Sequence, residues 1–172
     1  RAKQKQVESK PAAATLTVID RGQRVPLDEG RLQTLIESAC AGLGADVKAD
    51  PILAETRRNL YDGVPIDEVY KASILAARTL IEKEPGYTRA TARLLLHTIR
   101  KEILGEEAEQ AEMAARYPEY FPQFIERGIR HELLDQRLRQ FDLARLSAAL
   151  KPERDLQFDY LGLQTLYDRY FL

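Results

Sequence analysis

The chain has 172 residues, 44% of them apolar and 31% charged, with 26 Lys and Arg against 27 Asp and Glu. That length suits one domain, or a small domain and part of another, since folded units cluster at about 100 to 150 residues, and the composition argues against disorder. The even charge excludes the basic footprint of a nucleic-acid partner, the lone cysteine excludes an internal disulfide, and no apolar run approaches the roughly 20 residues that span a bilayer.

Residues 1 to 14 are polar and rich in Lys and Arg, without the apolar segment of a signal peptide, and read as a tail or linker of a cytoplasmic chain. From Leu16 the pattern changes to period two, broken by Arg21-Gly22 and resumed at Val25 and Leu27, which predicts a hairpin with Gly22 in the turn. Asp28 stands before Leu32, Leu35, Ile36, Ala39, Cys40 and Leu43, the spacing of a capped helix over about 29 to 42. Asp50-Pro51 predicts a second helix with proline at its first position, carrying Ile52, Leu53, Thr56 and Leu60 inward and ending by Gly63.

A third helix is expected from about 67 to 83, with Val69, Ala72, Ala76 and Leu80 on one face and Pro85-Gly86 as its stop. A fourth carries Ala90, Leu94, Leu95 and Ile99 and closes at Gly105, with Arg100 and Lys101 placed to complement its dipole. Glu106, Glu107, Glu109 and Glu112 then read as a solvated boundary. Beyond it, Tyr117, Tyr120, Phe121 and Phe124 precede a short helix through Ile129, and two further short helices flank Lys151-Pro152. The aromatic cluster reads as a satellite core, with a subunit-facing surface as the alternative. The apolar ending at Tyr170, Phe171 and Leu172 predicts that the polypeptide continues.

Hairpin, four helices, the "YDG" turn, "ARLLLHTIRK" and the closing "RDLQFDYLGLQTLYDRYFL" follow one another in an order that resembles the N-terminal region of the aerobic ribonucleoside-diphosphate reductase large subunit. The resemblance implies a mainly α fold. Residues 15–104 would form an ATP-cone, a four-helix bundle capped by a small antiparallel β-hairpin, and 105–172 the helical start of the catalytic part. It also implies ATP or dATP as an allosteric effector, and a large subunit that forms homo-oligomers and works with a separate radical-generating small subunit, making deoxyribonucleotides for DNA synthesis. No catalytic cofactor or metal is implied for this portion.

Phosphate calls for positive charge and backbone donors, and cones of this kind usually open on a Lys-Arg-Asp-Gly turn. Here the turn reads Ile19-Asp20-Arg21-Gly22, and Val25 stands where the family often has a polar contact. Carried over by resemblance, the nucleotide-binding positions are Arg21, Asp28, Arg31, Ile66, Tyr70 and Lys101. Of these, Arg31 and Lys101 keep a cation, whereas Ile66 and Tyr70 replace a hydroxyl and an imidazole. Each lost charge-assisted bond forfeits about 1.5 to 3 kcal/mol, so the expectation is a degenerate cone with a role in assembly, with a cone still competent to bind nucleotide as the alternative.

The remaining chemistry-bearing residues have plainer readings. Cys40 lies on the apolar face of helix one, as a small core residue does. With no cysteine set, the chain by itself cannot reduce a ribonucleotide. His97 and His131 have no partner at ligand spacing, and neither a Walker loop nor a GxGxxG motif occurs. Two other functions stand as alternatives. A free-standing nucleotide-sensing repressor would need a cysteine-rich zinc ribbon, and a helical interaction module unrelated to the reductase would leave the closing motif unexplained.

Overall fold

The structure, a computed structural model, describes residues 16–171. The tail or linker expected at 1–14 lies outside the described residues, as does Leu172.

The expected hairpin forms from β1 (Thr17–Asp20) and β2 (Gln23–Pro26), antiparallel, with Val18 opposite Val25. Both central turn residues have positive φ, Arg21 at 49° and Gly22 at 79°. This turn matches the right-handed twist of the flanking strands, and glycine takes its second position without steric penalty. A third strand, β3 (Val64–Pro65), lies parallel to β1, giving the order β2-β1-β3. Two residues are too short a run for alternation to announce a strand. Asp62 fixes it in place: its carboxylate accepts from the Thr17 amide at 2.9 Å and from the Thr17 hydroxyl, and it pairs with Arg24.

Four helices carry the sheet: α1 (Glu29–Cys40), α2 (Ala49–Arg58), α3 (Ile66–Thr79) and α4 (Tyr87–Leu104). Asp28 caps α1 as expected, accepting from the Arg31 amide at 2.9 Å. The second helix departs from expectation. It starts two residues before Pro51, with Lys48 as an N-cap that makes no side-chain bond, so proline falls at the third helical position. A missing N–H is still harmless there, because the first four amides of a helix have no partner within it. α3 stops at Thr79, before the expected 83, and Gly105 ends α4 in the left-handed conformation at φ 75°.

Ile36, Ile52, Val69, Ala77, Ala90 and Leu94 meet in one core beneath Val18 and Val64 of the sheet. The buried hydroxyls of Thr56, Ser73 and Thr91 bond back to carbonyls of their own helices. α4 is the central element, packed by α1 and α3 and also by the last helix.

Past Gly105 come a 3-10 turn (Gln110–Glu112), α5 (Met113–Arg130), a 3-10 turn (Gln136–Gln140), α6 (Leu143–Ala148), a 3-10 turn (Pro152–Gln157) and α7 (Tyr160–Arg169). The aromatic stretch and the short helix expected after it form a single helix, α5, which contains Pro118 and Pro122. Its aromatics are only half buried: Tyr117 bonds Asp155 and Tyr120 donates to the Ile103 carbonyl, while Phe124 is 37% exposed. α7 returns to α4 and places Leu163, 2% exposed, inside the main core, with Tyr160 and Tyr167 beside it.

Candidate functional site

Beneath the hairpin lies a cavity of about 770 Å³. Val18, Asp20, Val25 and Leu27 form its roof, α1 gives one wall from Asp28 to Ala39, and Ile66, Val69 and Tyr70 of α3 give another. The floor comes from α4 through Arg93, Leu96, His97 and Arg100, and residues 107–112 close the remaining side.

The α4 residues recur at i, i+4 and i+7, so one polar stripe faces the cavity from an otherwise apolar helix face. Arg93 donates to the carbonyls of Ala39 at 3.1 Å and Ala41 at 2.7 Å, capping the end of α1. Arg100 is 6% exposed and donates to Gln110 at 2.7 Å and to Asp155 at 3.0 Å. It thus turns inward to these partners, and of the two cations expected to complement the α4 dipole only Lys101 lies in the last turn. Among the described residues, the buried side-chain nitrogens without a hydrogen-bond partner are Arg93 Nε, His97 Nε2 and Arg100 Nε, all on this stripe. Burial holds the His97 imidazole below the usual histidine range, so it is neutral near pH 7. Its ring meets Tyr70 edge-on, with centroids 5.2 Å apart.

The six positions carried over from the resemblance divide into two groups. Asp28, Arg31, Ile66 and Tyr70 line the cavity. Arg21 and Lys101 are not among the lining residues: Arg21 makes a long 3.5 Å contact to the Gly105 carbonyl, and Lys101 pairs with Asp67 at 2.6 Å. Arg31 and Lys101 are nevertheless linked through Tyr70. Arg31 pairs with Glu107 at 2.6 Å, the Tyr70 hydroxyl donates to the other oxygen of the same carboxylate, and Lys101 Nζ lies 4.9 Å from the centre of the Tyr70 ring. Burial, then the bond to Glu107, drives the Tyr70 hydroxyl far above the ordinary tyrosine range, so it remains a donor at any physiological pH.

Glu107 is therefore no part of a solvated run, unlike exposed Glu106, Glu109 and Glu112. Its side chain is 17% exposed and is held by the Arg31 guanidinium and the Tyr70 hydroxyl. Sequence reading missed it, because its partners lie far off in the chain. It also missed the Arg93, His97 and Arg100 stripe, whose helical spacing was the available signal. The lining carries carboxylates at Asp20, Asp28, Glu107, Glu109 and Glu112 against the guanidinium groups of Arg31, Arg93 and Arg100, each of which already has an acceptor. Cys40 lies apart from the cavity lining in the core, where burial pushes its thiol up to about 11.

No protein-family model matches the chain. The ribonucleoside-diphosphate reductase subunit alpha of Chlamydia muridarum is 34% identical over 166 residues, covering 96% of this chain. The same subunit of Helicobacter pylori is 31% identical over 159 residues, covering 91%, and that of Chlamydia pneumoniae 42% over 113 residues, covering 66%. The chain belongs to the ribonucleoside-diphosphate reductase alpha-subunit family. It spans only 16%, 19% and 11% of the length of these three alpha subunits, so it corresponds to a small portion of a reductase subunit. The mainly helical architecture with a small sheet agrees with an ATP-cone followed by a helical segment. No helix among the described residues is long and apolar enough to cross a membrane.

Proposed function

We propose that this chain is the N-terminal regulatory portion of a reductase large subunit, and that its cone is degenerate: the pocket beneath the hairpin does not hold a triphosphate in the form described here. The whole subunit would reduce ribonucleoside diphosphates with a radical from a small subunit, and this portion would act through subunit assembly. One observation carries the reading. The cations kept from the family set are already paired, Arg31 with Glu107 and Lys101 with Asp67. A polyphosphate entering the cavity would meet carboxylates in excess of guanidinium groups. Like charges a few ångströms apart oppose binding by about 1 to 4 kcal/mol per pair, depending on how much water intervenes.

Calorimetric titration of the chain with ATP and dATP tests this. No binding below millimolar nucleotide is expected, and micromolar binding of either one would establish a competent sensor and refute the degenerate reading. The unpartnered nitrogens of Arg93, His97 and Arg100 are the feature that favours competence, since they offer unused polar groups toward a ligand.

A further inference from the structure

We infer that Glu107 is an internal stopper for the pocket: the chain supplies its own anion to the position that a ligand phosphate would take, and the site is shut by the segment that follows α4. The inference rests on reading this cavity as the cone's former nucleotide pocket, and it adds what keeps the pocket shut.

The Glu107 carboxylate has the contacts of a bound oxyanion. Arg31 reaches one oxygen at 2.6 Å and the Tyr70 hydroxyl donates to the other. Lys101 lies against the face of the tyrosine, 4.9 Å from its ring centre, and the neutral His97 abuts its edge. A guanidinium and a hydroxyl aimed at one tetrahedral or planar anion form a general anion cradle, equally able to accept phosphate oxygens.

Glu107 arrives there because its neighbours are anchored. Gly105 reverses the chain in the left-handed conformation, Ala108 is buried, and Arg100 holds Gln110, which itself donates to the Pro152 carbonyl at 3.1 Å. Arg116 pairs with Glu106 on the outer side of the same turn. The carboxylate is thus presented to the cradle by a preformed segment, at high effective concentration, and an external anion must compete with it. A mere surface ion pair has none of these supports. Removing its charge while keeping its shape would leave Arg31 and Tyr70 with an amide oxygen in place of a carboxylate, and would take away the repulsion toward phosphate.

The test compares the wild-type chain with Glu107→Gln, titrated by calorimetry with sodium tripolyphosphate and with ATP, alongside Glu109→Gln as a lining carboxylate that bonds neither Arg31 nor Tyr70. The expected result is no wild-type binding, a gain of at least about tenfold in affinity for Glu107→Gln, and a smaller gain for Glu109→Gln. If the wild type is silent and folded Glu107→Gln is silent too, the stopper is refuted while the degenerate reading stands. If the wild type binds at micromolar ligand, the degenerate reading fails, and the stopper fails with it. Equal gains in the two variants refute the stopper as well, since they would report pocket charge in general. Should Glu107→Gln fail to fold, Glu107→Ala replaces it, and failure of both overturns the inference, because a stopper is dispensable to folding and a structural strut is not.

Discussion

Leu163→Ala is the substitution that asks whether the segment after Gly105 belongs to the cone's own folding unit. Leu163 is 2% exposed and sits in the same core as Leu94 and Leu95, brought there by α7 packing on α4. Truncating a leucine at such a site removes its transfer free energy and leaves a cavity that the rigid faces of two helices fill only in part, a loss of about 3 kcal/mol. For a unit of this size that lowers Tm by about 6 to 12 °C. Urea unfolding followed by circular dichroism and by tyrosine fluorescence, the chain having no tryptophan, would show one transition shifted as a whole. A loss below about 1 kcal/mol, or separate transitions by the two probes, would mean that α7 merely leans on a self-sufficient bundle, and the packing argument would fail.

Asp62 gives a prediction in acid. Its carboxyl is held below the usual range, first by the Thr17 hydroxyl and amide and then by Arg24, so the stabilisation it lends the sheet is complete above the ordinary carboxylate pKa and fades as pH falls through the lowered folded value. Asp62→Asn should be less stable than wild type at pH 7 and converge with it at low pH. Equal stability at pH 7 would show that the staple holds nothing. Cys40 should be nearly inert: with its thiol pushed up to about 11 by burial, its thiolate fraction at pH 8 is more than about 100-fold below that of a free cysteine, so iodoacetamide should modify it only after denaturation. Rapid labelling of the native chain would contradict its place in the core.

The elements that could be read from sequence are those whose cause is local. The hairpin declares itself through alternation and Gly22, α1 through the Asp28 cap three residues before the Arg31 amide, and α4 through a long apolar period stopped at Gly105. What escaped reading is long-range. Glu107 looked like one member of an acidic run because Tyr70, 37 residues away, and Arg31 leave no trace beside it in the chain. Arg100 looked like a charge on a helix end, and only the fold brings Gln110 and Asp155 to its buried guanidinium. The two prolines concealed the length of α5, since proline disfavours a helix interior and here packing of Met113 and Ile125 overrides it. Of the carried-over site positions, Asp28, Arg31, Ile66 and Tyr70 line the cavity, whereas Arg21 contacts the Gly105 carbonyl and Lys101 pairs with Asp67, outside its lining.

The parallel pairing of β1 with β3 also sets an order of events in folding. β1 and β2 are joined by a two-residue turn and can zip on their own within microseconds, whereas Val64 reaches Val18 only after α1 and α2 have folded back across the gap between them. Asp62 grips Thr17 across forty-five residues, so loop-closure entropy opposes this contact until the intervening helices are docked. The third strand and its Asp62 clasp are thus added late, as the keystone of an arch already standing.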